Sequence, residues 1–203
     1  MMFFLTALLL VAQPNEATIG MKSDPKAVRQ MQVVGQCIAK QHAKTARKVL
    51  ALDYRTKSYG EALRQLGLLG GLCAREELGR SNLRSGGLLF AGSVAEGLMA
   101  QDGVLGDFGA RTGYRPEIAT IEARDGGEYL ALCVVRTNPG ATAAMLRADP
   151  ATVAEYHALK ALGPTLSACV PANSKSEFTR EALRALLALG AYRLAHHNQQ
   201  ATR

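Results

Sequence analysis

The stretch "CIAKQHAKTARKVLALD", Cys37 to Asp53, has a counterpart in "CVVRTNPGATAAMLRAD", Cys133 to Asp149. In each, a cysteine stands sixteen residues before an aspartate, and a shift of 96 positions superposes the two stretches. The same shift carries Cys73 onto Cys169 without a gap, so both segments read cysteine, thirty-five residues, cysteine. Between those ends Leu50/Leu146, Asp53/Asp149, Thr56/Thr152, Ala62/Ala158, Leu63/Leu159, Leu66/Leu162 and Gly67/Gly163 are identical, which makes nine matches in 37 positions with the cysteines included. Chance can supply a cysteine spacing, but it rarely supplies these matches in one ungapped register. The pattern reads as an internal duplication. Past the second cysteine one gap lays "LRSGGLLFAGSVAEGLM" on "FTREALRALLALGAYRL".

The second copy marks where its elements break. Its "NPG" at Asn138 to Gly140 interrupts a helix through Cys133, and Asp149-Pro150 ends the next. Cutting the first copy at the same places predicts helices over 26–41, 44–52, 57–72 and 82–100, matched by 127–137, 140–148, 152–169 and 175–197. Thr56 and Thr152 are matching N-cap candidates, and "SKSE" from Ser174 to Glu177 has capping-box spacing. In the last helix Phe178, Ala182, Leu186, Leu189 and Leu194 keep to one broad side, with Arg180, Arg184 and Arg193 away from its middle. The expected fold is therefore all-α, an internal duplication of a roughly 70–80-residue, approximately four-helix unit. Residues 22–100 form copy 1, 101–116 a Gly-rich linker, 117–198 copy 2, and 199–203 a polar tail.

Composition agrees with helices. Aromatic content is 5% with no Trp, and 48% of residues are hydrophobic, so the core is built from small aliphatic side chains at close range. The glycines Gly86, Gly87, Gly92 and Gly97 in the first copy's fourth helix each cost about 1 kcal/mol of helix stability against Ala. They point to a close helix approach or to a break. The opening run "MMFFLTALLLVA" is uncharged and shorter than the ~20 residues of a membrane-spanning helix, but has the length of a signal-peptide core. Residues 1–17 are read as a signal peptide, with Ala12 or Ala17 as the cleavage candidates, and the protein as periplasmic or secreted. No transmembrane helix is expected in the mature chain.

Four cysteines without a Cys-x-x-Cys pair exclude the usual redox motif and argue against a zinc ribbon. In an exported chain they read as disulfides. Three pairings are possible, and duplication favours the one each copy makes alone: Cys37–Cys73 and Cys133–Cys169. The competing reading is four buried free thiols. Asp53 and Asp149 then mark turns.

Motifs for chemistry are scarce. His42, His157, His196 and His197 fall on no metal-ligand spacing, and no metal or cofactor is expected. Ala91 to Ala95 loosely resembles a nucleophile elbow around Ser93 but follows no strand. The glycine clusters lack the lysine of a phosphate loop. Glu76, Glu77 and Glu96 are carboxylates without a paired partner in the repeat. No catalytic constellation is legible.

Charge is uneven. The net charge is +7, with 13 basic and 7 acidic residues in 1–100 against 11 and 10 in 101–203. Lys40, Lys44, Arg47 and Lys48 offer a basic face for an anionic envelope component or an acidic protein, or simply a solvated helix face. Nucleic acid is a poor candidate without a recognisable module. The sequence thus reads as a periplasmic or envelope binding or structural module. The alternatives are an enzyme with a site in the cleft between the copies and a cytosolic regulator with free thiols.

Overall fold

A computed structural model describes residues 19–79, 86–170 and 177–201. The signal-peptide reading at 1–17 and Ser174 of the capping-box reading lie outside these residues. Among the described residues the chain is helical, without strands.

Caps decide most of the boundaries. Asp24 accepts from the Lys26 amide to open α1 (Pro25–Ala51), with Pro25 in its first turn. The expected helices 26–41 and 44–52 run on as this one element, which bends at His42 (φ −129°, ψ 27°). That bend lies 96 residues before Asn138, the N-cap that separates α5 (Gly126–Thr137) from α6 (Pro139–Arg147). Proline at 139 turns a bend into a break, because it offers no amide to continue the ladder. Thr56 caps α2 (Lys57–Leu78) by accepting from Tyr59 N, and Thr152 caps α7 (Val153–Ala161) by accepting from Glu155 N. In both turns the threonine hydroxyl donates 2.6 Å to the carbonyl of the repeated aspartate, Asp53 or Asp149.

Other boundaries differ from the sequence reading too, α2 running on past residue 72 to Leu78. The expected helix 152–169 is split into α7 and α8 (Gly163–Cys169), because Pro164 sits at the start of the second piece. The last helix, α9 (Arg180–Ala201), starts five residues late: Glu177 is outside it, and Thr179 Oγ1 accepts from Ala182 N instead. It also takes in Gln199 to Ala201, which composition assigned to a polar tail. The Gly-rich linker is partly built, since α4 (Phe108–Thr112) buries Phe108 and Thr112 inside it.

The core is a row of four helices in the order α1, α3 (Gly87–Gln101), α9, α5, with α2 outside α1 and α6 to α8 around α5 and α9. In each half the first long helix packs on the last. The crossings are tight: a β-carbon on Gly92 of α3 would stand 2.6 Å from that of Ala185 on α9, and one on Gly190 2.8 Å from that of Ala131 on α5. Of the four glycines singled out in the sequence, Gly92 and Gly97 thus serve backbone approach, whereas Gly86 is the N-cap of α3 and faces open space. Ten consecutive residues of α3, Phe90 to Met99, are buried, so over this stretch the helix has no solvent face.

Both pairs of cysteines are disulfides, Cys37–Cys73 and Cys133–Cys169, with Cα atoms 5.8 and 5.7 Å apart, and the described chain has no free cysteine. The free-thiol alternative fails on this point. Such bonds persist in oxidising compartments. No helix among the described residues is long and apolar enough to cross a membrane.

Candidate functional site

The turn after α1 and the start of α5 meet across the two halves. Asp53 Oδ1 accepts from Arg55 N at 3.0 Å, an Asx-type turn, and its carboxylate pairs with the Arg55 guanidinium at 2.7 Å. These bonds hold Asp53 well below the usual carboxylate range, the Arg55 side chain contributing most. Arg55 reaches on to the carbonyl of Arg124 at 2.8 Å, and Arg124 lies 4.0 Å from Asp53 and 5.4 Å from the centre of the Tyr54 ring. Asp149, the counterpart of Asp53, keeps the turn and makes none of these cross-half contacts among the described residues.

Beside this junction opens a cavity of ≈ 410 Å³. Both halves contribute: Leu50, Tyr59, Leu63 and Leu88 from the first, Leu186 and Leu189 from the second, with Tyr54, Phe178 and Tyr192 adding rings. In a chain with only six tyrosines, three line one cleft. Its polar edge is Arg124, Asp125, Glu128 and Arg193. Asp125 caps α5 through Glu128 N at 2.9 Å, and Glu128 answers by accepting from Arg124 N at 2.6 Å. Glu128 also forms an ion pair with Arg193 of α9 and lies 3.8 Å from Arg124. Burial and the neighbouring Asp125 push the Tyr54 hydroxyl above the ordinary phenol range, and burial pushes Tyr192 up to about 12.

A second charged cluster lies inside the protein. Arg184 of α9 donates to Glu96 of α3 (2.6 and 2.9 Å) and to Glu155 of α7 (3.1 Å), and it caps the end of α6 by donating to the carbonyls of Met145, Leu146 and Ala148. Arg180 pairs with the other oxygen of Glu155 at 2.7 Å, and Gln32 donates to Glu96 at 2.8 Å. Burial drives Glu96 upward against the pull of Arg184 and Gln32. Burial also works to lower Arg184, but its two carboxylates outweigh this and hold it above its ordinary value. Every charge here faces an opposite charge, so the cluster holds helices together rather than presenting a reactive group.

The structure separates the residues singled out in the sequence. Lys40, Lys44 and Lys48 are exposed along one face of α1 and make no ion pair among the described residues, whereas Arg47 is half-buried and bound to Asp102 at 2.5 Å. His42 marks the bend, His157 is exposed against Tyr156, His196 stacks on Tyr192, and His197 bonds the carbonyl of Ala119. Ser93 is buried and donates to Phe90 O within its own helix. Glu76 accepts from Gln41 at the surface, and Glu96 lies in the buried cluster. None of the four histidines lines the cleft. The sequence offers a cleft between the copies only as the site of the alternative enzyme reading and does not identify its lining, because the walls come from six separate stretches of chain; the concentration of scarce tyrosines was the available signal. No family model, no curated protein and no solved structure matches the chain.

Proposed function

We propose that the protein is an exported, non-catalytic binding module that holds a ligand in the cleft between two copies of a disulfide-sealed helical unit. One observation carries this reading: an apolar cavity of ≈ 410 Å³ opens between the halves, edged by a few convergent polar groups. Sites for small molecules have this form, at roughly 300–1,000 Å³. Duplication is supported by the matching caps at Thr56 and Thr152, by the bend and break 96 residues apart, and by the equal spacing of the disulfides. Export is supported by the disulfides and by the apolar run at the start of the chain. A binding rather than catalytic role is supported by the cleft's edge, where the carboxylates are tied up in caps and ion pairs.

Two measurements test this. Fractionation of a tagged full chain, with mass analysis before and after alkylation, is expected to find it outside the cytoplasm with no alkylatable thiol; a cytoplasmic, reduced protein overturns export. The purified oxidised protein is expected to bind the uncharged dye Nile red with enhanced, blue-shifted emission. Leu88→Asp weakens this binding on the order of tenfold, since a carboxylate in the apolar wall must be desolvated by the dye. Leu88 is partly exposed in the first turn of α3, where an acidic side chain is tolerated. Dye bound equally by wild type and variant removes the cleft as the site.

The lysine strip gives a second contact surface. Its counterparts in the other half are Arg136, Gly140 and Ala144, so the fold does not depend on this charge. Vesicles containing phosphatidylglycerol are expected to retain the wild type, and replacing Lys40, Lys44 and Lys48 by Glu is expected to weaken retention at least on the order of a hundredfold, at about 1 kcal/mol per lysine near an anionic surface. Unchanged retention removes this surface.

A further inference from the structure

The charges at the edge of the cleft determine what kind of head group it accepts. Two arginines and two carboxylates stand there, a balanced set, and they are already engaged with one another: Arg193 with Glu128, Arg124 with Glu128 and Asp53, and Asp125 with the amide of Glu128 and the hydroxyl of Tyr54. A carboxylate or phosphate entering this edge has to draw an arginine away from Glu128. The Glu128 side chain is 9% exposed, so it would be left charged, desolvated and short of one of its two arginines, a costly arrangement. An ammonium head leaves Arg193 in the same position. An uncharged polar head requires neither. It also finds a partner, because Tyr59 lines the same cavity as Arg124 and its hydroxyl makes no hydrogen bond among the described residues.

Resting on the cleft as the binding site, we propose that its ligand is an uncharged amphiphile: an apolar body filling the leucine and tyrosine walls, with a hydroxyl or amide head against Tyr59 and the arginine–carboxylate edge. The body is limited by the ≈ 410 Å³ of the cavity, near the lower end of what holds a drug-sized molecule.

Competition against bound Nile red tests the inference, with three ligands that share an unbranched twelve-carbon unit and stay below their micellar concentrations: 1-monolaurin, laurate and dodecyltrimethylammonium. Monolaurin is expected to displace the dye at a concentration at least about tenfold lower than either charged ligand, because only it leaves the ion pairs intact. Glu128→Gln releases the arginines, so laurate binding is expected to strengthen by about tenfold while monolaurin changes less than about threefold. Laurate or dodecyltrimethylammonium displacing dye from the wild type as readily as monolaurin overturns the inference and leaves the cleft standing as the site. Failure of the dye to bind, or its insensitivity to Leu88→Asp, removes both. If Glu128→Gln does not fold, the three competitors on the wild type decide the matter.

Discussion

Arg184→Met is expected to lower the free energy of unfolding by about 3–5 kcal/mol, the cost of leaving a buried charge without its partner. Methionine has a similar length and no charge, so the packing of α9 is largely kept while the ion pairs are lost. Glu96 is then left with Gln32 alone, Glu155 with Arg180, and the last carbonyls of α6 lose their donor. Two controls separate this from a general effect of substitution. Removing the exposed Lys57–Glu61 pair is expected to change stability by less than about 0.5 kcal/mol. Adding Glu96→Gln to Arg184→Met is expected to recover part of the loss, since the orphaned charge is gone; strict additivity of the two changes would mean that they do not interact. The effect also depends on pH. Burial raises the folded pKa of Glu96, so the protonated form is favoured in the folded state: that contribution is fully present below the unfolded value, roughly 4.3, and is lost as pH rises through the raised folded value. Without Arg184 the ionised form is worse still. The gap between variant and wild type, read from urea midpoints, is therefore expected to shrink on acidification and widen towards neutral pH.

The same arginine shows where the sequence stops being informative. The helix boundaries that were legible are set locally: Thr56 and Thr152 find their amides three residues away, and Asn138-Pro139 breaks a helix whatever surrounds it. The cysteine pairing was legible because the spacing repeats. Which residues of α9 face inward was legible only in part. Of the apolar side read from the sequence, Leu194 is fully buried and Leu186 and Leu189 pack against the core, but Arg180 and Arg184, read as lying away from its middle, are buried too, and Phe178 is exposed and lines the cleft. The charges that neutralise them, Glu96 and Glu155, are 88 and 29 residues from Arg184, and no periodicity within one helix reports a partner at that distance. The residues that line the cleft escaped for a related reason. Its polar edge joins Glu128 to Arg193 between two helices and Asp53 to Arg124 across the halves, so it exists only once the row of helices is assembled. Arg47 shows the reverse: its neighbours on α1 are free lysines, but Asp102 beyond the end of α3 takes it out of the basic strip.

Removing the Cys37–Cys73 bond, by Cys37→Ala with Cys73→Ala, is expected to cost about 2–4 kcal/mol, as is removing Cys133–Cys169 in the same way. Each bond spans 36 residues, for which the loop-closure entropy removed from the unfolded chain is roughly 3–4 kcal/mol. Native packing adds a local reason in each half. Of the 22 residues of α2 only Leu66, Gly70, Cys73 and Ala74 are buried, and Leu68 and Leu72 of the same helix are exposed. In α8 the one buried residue is Cys169 itself. Tyr59, Ala62, Leu63 and Leu69 of α2 and Leu166 of α8 pack against the core while only partly buried, so the sulfur bridge adds to a contact that is broad but shallow. Hydrogen exchange separates the two contributions. If the bond acts only on the unfolded chain, amides that exchange by global unfolding lose protection together, those of α3 and α9 included. If it also tethers a weakly packed helix, α2 loses protection further than α3 in the first variant, and α8 further than α5 in the second. We expect this second pattern, because α2 and α8 have few fully buried residues besides their cysteines. Unchanged urea midpoints in both variants would count against the bridges as stabilising elements, and equal loss across all helices would assign their effect to the unfolded chain alone.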